Sequence, residues 1–306
     1  MTIIDPTNPG TASAAGTVGE AGIADVGVAR PLRKDVWKRF RRNKLAMVGL
    51  AIIVMLTLMA VFAPLIAPYS ITERVPELRK GPSADHWFGT DAIGRDQFSR
   101  VVFGARVSLR VGILATLISL TIGVLLGSIA GFFGGSGDTV IMRITDIFLS
   151  IPYIILAIAI ATVFGRGENS VILVLGLTGW LAICRIVRAT FLSLKNLEYV
   201  EAAKALGLSR KRIMFRHVLP NALQPIIVYG TIAVGSVILA EAALSFLGVG
   251  AVDPTLAWGL MVNDGRRYLV NAPYLLLFPG GAIFITVLAF VFVGDGLRDA
   301  LDPKLK

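Results

Sequence analysis

Six long apolar runs, separated by polar and charged segments, organise this chain of 306 residues. They cover Leu45–Ala67, about Val107–Phe133, about Val140–Phe164, Val171–Leu192, Pro225–Leu247 and Tyr274–Gly294. A helix needs roughly 20 apolar residues to cross a bilayer core. Lipid offers no partner to an unpaired backbone group, so each run predicts a membrane-spanning helix. The pattern therefore predicts an all-α membrane protein with six transmembrane helices and both termini on the same side. It divides into a tail (1–29), a basic segment (30–44), a first helix with an outer loop (45–106), and a core of five helices (107–300). The core contains a cytoplasmic loop (193–224) and is followed by a tail (301–306).

The polar pieces set the orientation. Residues 1–29 contain no Lys or Arg and no apolar core. They predict a disordered tail and lack the features of a secretory signal. From Arg30 to Lys44 the chain carries eight Lys/Arg. Leu32, Val36, Trp37 and Phe40 share one helical face there, with Arg33, Lys34, Lys38, Arg39, Arg41 and Arg42 around it. Two readings fit this segment: an interfacial helix on anionic lipid, or an unstructured positive flank that sets topology. The loop 193–224 adds Lys195, Lys204, Arg210, Lys211, Arg212 and Arg216, and the tail adds Arg298, Lys304 and Lys306. The loop between the first two runs mixes basic residues with Glu73, Glu77, Asp85, Asp91 and Asp96. The positive-inside rule then favours an N-in, C-in topology. A net charge of +10 would suggest nucleic acid in a soluble protein, but at 55% hydrophobic and 16% charged residues the basic groups fit lipid headgroups better.

Within the runs, Gly123, Gly127 and Gly131 recur every fourth residue, a groove for close helix approach. Pro279-Gly280-Gly281 predicts a kink early in the sixth helix. Ionisable residues inside a membrane are costly. Asp146, Arg185 and Arg188 lie at matching depth near the inner ends of the third and fourth runs. They can pair there, or the arginines can snorkel to headgroups. Glu241 is deeper, in the outer half of the fifth run. It either lines a path or braces two helices. Tyr229, Thr231 and Ser236 add polarity to the same run. Cys184 is the single cysteine and reads as a packing residue.

The inner loop is dense in structure signals. Leu197–Leu206 has helical composition, and Gly207 can adopt the left-handed conformation that stops a helix. Ser209 is a natural cap for a second helix, Arg210–Val218, which Pro220 ends or kinks. The resulting helix–turn–helix is a stiff lever on the fifth span, or else a structured but passive linker.

Glu201-Ala202-Ala203, three residues, Gly207 and then Leu219-Pro220 resemble the EAA loop of ABC-importer permease subunits. Further stretches are similar to the dipeptide/oligopeptide/nickel branch, second-subunit type. They include Trp87–Asp91 with Gly94–Asp96, Gly104–Ser108, His217–Asn221, Leu244–Gly248 and Gly294–Pro303. One departure is His217, where the strict pattern has isoleucine. The resemblance implies a type I permease-like bundle in a bacterial inner membrane, working beside a sister permease. It also implies two ATP-binding subunits and an extracytoplasmic binding protein that docks on outer loops such as 88–100 and 252–271. Its substrates would be di- or oligopeptides, with glutathione and nickel chelates in the same branch. Glu201, Ala202, Ala203, Leu206, Gly207, Arg210, Leu219 and Pro220 would seat in an ATP-binding subunit. The chain itself would hold no cofactor, ATP and Mg being bound by those subunits.

The residues agree with a non-catalytic subunit. Gly134-Gly-Ser-Gly137 lacks the lysine of a phosphate-binding loop. His86, which reads as a surface residue, and His217 are predicted on opposite sides of the membrane. No nucleophile motif appears. A stand-alone secondary transporter would show inverted repeats and midplane coupling residues. A membrane enzyme would show a catalytic cluster. Neither signature is visible.

Overall fold

A computed structural model describes residues 32–250 and 255–301. The expected disorder of 1–29, and most of the tail 301–306, lie outside the described residues. Helix α1 (Leu32–Arg42) leads through Asn43 into α2 (Lys44–Val61). The Asn43 side chain accepts a hydrogen bond from the Ala46 amide at 3.1 Å, which caps α2. A short α3 (Ala63–Ile66) continues it, offset at Pro64, which cannot donate to the helical ladder.

Helix α4 (Gln97–Phe133) is 37 residues long. At 1.5 Å per residue it spans about 55 Å, against a bilayer core of roughly 30 Å. It therefore starts ten residues before the apolar run and projects beyond the membrane on the outer side. Asp96 fixes that start by accepting from the Ser99 amide at 2.7 Å.

The third run departs from a single straight span. It forms α5 (Gly135–Leu149) and α6 (Tyr153–Phe164), bent by 93° across Ser150-Ile151-Pro152. Pro152 removes a donor and disfavours helix at Ile151. Among the described residues, five helices are long and apolar enough to cross a membrane, six if the bent pair is one broken span. The remaining elements are α7 (Glu168–Leu194), α8 (Glu198–Ala205), α9 (Arg210–Ile213), α10 (Leu219–Phe246), α11 (Trp258–Gly265) and α12 (Tyr274–Leu301). The chain passes Pro279 without a break in α12.

Two close approaches organise the bundle. Along α4, a methyl on Gly123 would stand 2.6 Å from Ile183 Cγ2, on Gly127 2.6 Å from the Cys184 carbonyl oxygen, and on Gly131 2.7 Å from the Arg188 carbonyl oxygen. The glycine groove thus seats α7 backbone against α4 backbone. On the other side α12 lies between α2 and α10, and a methyl on Gly49 of α2 would stand 2.7 Å from the Ala289 carbonyl oxygen. Helix α1 is folded onto this layer. Phe40 is buried with Ala46, Val293 and Ala300, while Trp37 stays half-exposed.

Replacing Gly127 by Ala forces α4 and α7 apart against a backbone atom, and overpacking of this kind costs about 1–3 kcal/mol. The G127A protein should unfold at lower temperature in detergent, read by a thiol-reactive dye on buried Cys184. G137A, where a methyl meets nothing within 4 Å, should melt as wild type does.

Candidate functional site

The inner loop is built outward from a buried base. Val200 and Ala203 of α8 pack in one cluster with Ile213, Met214, Val218 and Ala222, and with Ile183, Val187 and Phe191 of α7. The opposite face of α8 is bare. Glu201, Ala202, Leu206, Gly207 and Arg210 are exposed, and the Leu206 side chain is 80% exposed at the tip. Gly207 has φ of 74°, which glycine adopts without strain. The Leu208 amide returns to the Ala203 carbonyl at 3.2 Å, a helix stop of the left-handed type. Ser209 Oγ then accepts from the Arg212 amide at 3.4 Å.

The second helix does not end at Pro220. Met214–Val218 form a π-helical turn that runs straight into α10. Pro220 has no N–H to give, and the wider turn absorbs the missing hydrogen bond. Asn221 Nδ2 donates to the His217 carbonyl at 2.7 Å and to Tyr199 Oη at 3.3 Å. The second contact ties α8 to the start of α10. Leu219 lies partly buried against the same cluster, and Pro220 is exposed.

The intramembrane ions near the inner side fall into two pairs. Arg185 pairs with Asp146 between α7 and α5. Arg188 pairs with Asp138, Nε to Oδ1 at 2.5 Å and a second nitrogen to Oδ2 at 2.7 Å. Lys195 Nζ donates to the Gly131 carbonyl at 3.0 Å beside them. Asp138 was not among the residues singled out from the sequence. It stands in the glycine-rich junction that reads as a turn, and its signal is a carboxylate at the inner edge of a span, at the depth of Arg188.

Glu241 is 1% exposed. Ser245 Oγ donates to Oε1 at 2.7 Å, and Ser108 Oγ lies 3.4 Å from Oε2. Ser108 Oγ also accepts from the Trp258 amide at 3.3 Å, and Trp258 Nε1 donates to the Val101 carbonyl at 2.9 Å. The carboxylate therefore sits at a joint of α4, α10 and α11. Tyr229 and Ser236 lie elsewhere, on a cavity of about 400 Å³ between α4, α6, α7 and α10.

On the outer side the loop before α4 is pinned to the bundle. Tyr274 Oη reaches the Lys80 and Thr90 carbonyls at 3.0 and 3.2 Å, and the Phe88 and Phe278 rings stack at 3.8 Å. His86 is not a surface residue. It is 4% exposed, with Nδ1 2.9 Å from Asp96 Oδ1 and its ring against Tyr69. The buried carboxylate that caps α4 needs a partner, and His86 supplies it. Asp91 pairs with Arg95 at 2.7 Å, and a polar cavity of about 300 Å³ opens between these residues and α11.

A multi-helix membrane bundle, an exposed inner helix on a rigid base and a structured outer cap define a subunit of a transport complex. The chain belongs to the family described as binding-protein-dependent transport system inner membrane component, which matches residues 123–306. Residues 31–82 match the N-terminal TM domain of oligopeptide transport permease C. The protein is thus a multi-pass permease subunit of the inner membrane. It is 48% identical to the oligopeptide transport system permease protein OppC of Bacillus subtilis, over 90% of each chain. It is 42% identical to the glutathione transport system permease protein GsiD of Pectobacterium atrosepticum, over 93% of this chain and 95% of that one. Among solved structures it resembles an inward-facing MetNI methionine ABC transporter, with a TM-score of 0.57 and 23% identity over 67% of this chain and 98% of that chain. That likeness supports the type I permease fold.

The Asp138–Arg188 pair joins α5 to α7 by two charge-assisted hydrogen bonds. In a double-mutant cycle of D138A and R188A, each single change should destabilise the protein in detergent. The double should cost less than the sum, by a coupling of roughly 0.5–3 kcal/mol. Strict additivity in the melting series would show that the pair contributes nothing.

Proposed function

We propose that this chain is one of two membrane subunits enclosing the path of an ATP-driven peptide importer, with α8 as its contact to an ATP-binding subunit. The observation that carries the reading is the pairing of a bare α8 face, ending in the 80% exposed Leu206, with a base fully buried in the bundle. An apolar side chain held out in water by a stiff scaffold fits a cleft in a partner. Glu201, Ala202, Gly207 and Arg210 surround it, while Ala203 belongs to the base, Leu219 packs against it and Pro220 is exposed beside it. ATP and Mg would be bound by that partner. Closure of two such subunits around ATP would move α8, and the helix through Arg210, the π turn and α10 would carry the movement into the membrane.

The other site residues take supporting parts in this reading. Asp146, Arg185 and Arg188 hold α5 to α7 near the inner mouth. Glu241 braces the outer joint of α4, α10 and α11 and does not line the path. Ser236 and Tyr229 face the cavity. The outer cap, with its charged cavity between Asp91 and α11, fits a soluble binding protein. Substrates are di- or oligopeptides, with glutathione as a member of the same class. This assignment is supported by the names of the relatives at 42–48% identity.

The test uses the complete transporter in proteoliposomes, with binding protein and peptide at saturation. The double variant E201R/G207D should lose the ATP-binding subunits on purification. Alternatively, it should retain them with peptide-stimulated hydrolysis reduced roughly tenfold, a coupling loss of ordinary size. Retained subunits with wild-type hydrolysis and uptake would make the loop a passive linker.

A further inference from the structure

Helix α1 (Leu32–Arg42) is amphipathic, and its apolar face is turned to the protein. Phe40 is buried against Ala46, Val293 and Ala300, and Val36 packs on the same cluster. Val293 stands at the end of the sixth apolar run, where α12 leaves the lipid. Asn43 alone separates α1 from the membrane-spanning α2. These contacts hold α1 at the inner boundary of the bilayer. An interfacial helix ordinarily sinks its apolar face into the acyl region. In α1 that face is taken up by α2 and α12.

What α1 leaves outward is basic. Lys38, Arg41 and Arg42 stand at i, i+3 and i+4, so they share one helical face, opposite Val36 and Phe40. All three are exposed, and none forms an ion pair with a carboxylate among the described residues. Asp35 is the one acid in α1, and Asp299 at the end of α12 accepts from Asn43 Nδ2 at 3.2 Å. Trp37 flanks the basic stripe. Its ring stacks on Phe40 with centroids 5.9 Å apart, and half of the side chain stays exposed. Water alone would satisfy three cations, but it does not favour a half-bare indole beside them. The headgroup level of a bilayer favours both, since tryptophan concentrates there and anionic headgroups attract Lys and Arg.

We propose that the outward face of α1 is a binding site for anionic phospholipid of the inner leaflet, with Lys38, Arg41 and Arg42 on the headgroup phosphate and Trp37 beside the glycerol backbone. The inference goes beyond the importer reading and does not rest on it. Because α1 is fastened to α2 and α12, the lipid meets a platform that is already folded and loses no binding energy to ordering a helix. A zwitterionic lipid also carries a phosphate, but its ammonium is repelled by the same three cations, so the site selects net negative charge. Each basic residue near an anionic surface strengthens the attraction by roughly fivefold. A positive flank that only sets topology acts during insertion and needs no lasting lipid partner. The two readings therefore differ in the folded protein.

The test places the complete transporter in nanodiscs of equal parts phosphatidylglycerol and phosphatidylcholine. A trace of one lipid or the other carries a photoreactive diazirine at the glycerol end of an acyl chain, which leaves the headgroup intact. After illumination, labelled peptides are mapped by mass spectrometry. Labelling of residues 35–44 should favour phosphatidylglycerol by roughly tenfold or more, since three basic residues at about fivefold each set a ceiling on the order of 100-fold. K38Q/R41Q/R42Q should bring the ratio near one, and K38R/R41K/R42K should keep it. Raising salt from about 50 to about 500 mM should cut the wild-type preference severalfold by screening. Equal labelling by the two lipids in the wild type would overturn the site. So would a preference that survives in K38Q/R41Q/R42Q, or crosslinks that join this segment to an ATP-binding subunit in place of lipid. If the neutral variant does not assemble, the wild-type ratio and its salt dependence decide.

Discussion

Everything in this bundle depends on how closely α4 and α7 approach. Between helices in lipid there is little hydrophobic driving force, because acyl chains are as apolar as the side chains they would replace. Contact must instead come from dispersion, which falls off steeply with distance. Gly123, Gly127 and Gly131 bring the two backbones together over about two turns. That contact places Arg188 and Lys195 over the junction of α4 and α5, and it sets the walls of the cavity at Thr116 and Thr178. A wider separation would disturb all of these at once.

The polar groups in the bundle follow a second constraint. Lipid provides no water to satisfy them, so each must find its partner inside the chain. The inner arginines meet Asp138 and Asp146. Glu241 meets Ser108 and Ser245, and the Trp258 amide meets Ser108 in turn. These bonds lie at the two ends of the spans, where helices must keep fixed positions. The middle holds a cavity that no charged side chain lines among the described residues. That division fits a transport subunit with firm ends.

Much of this was legible in the sequence, for identifiable reasons. The spans are readable because a helix in lipid must be apolar over its whole length. The glycine groove is readable because its period matches the helix, and Gly207 because so few residues tolerate positive φ. The misreadings share a cause as well. Pro152 sits inside a long apolar run, and hydropathy averaged over twenty residues hides a break of three. The outer ten residues of α4 are too polar to extend a span, yet they are helical because Asp96 caps them and α11 packs on them. His86 reads as a surface residue until the fold brings Asp96 beside it. Pro220 reads as either the end or a kink of the second helix, and a π turn lets the helix continue past it. Partners distant in sequence and local changes of helix type leave no periodic trace.

The π turn bears directly on how force would travel in the proposed coupling. A flexible joint between α8 and the membrane would dissipate any displacement of α8 before it reached the path. The chain instead runs as helix from Arg210 to Phe246 with one widened turn. Asn221 bonds both the His217 carbonyl inside that turn and Tyr199 on α8, so α8 and α10 share an anchor at the one place where the ladder is irregular. The π turn is the one change of helix type between Arg210 and Phe246. It is therefore the point at which α10 can change direction while both flanking segments stay rigid. Tyr229 lies about two turns beyond Asn221 and Ser236 two turns further, on the wall of the cavity. A tilt at the π turn would open or narrow that wall first, which links the inner handle to the cavity by a single continuous element.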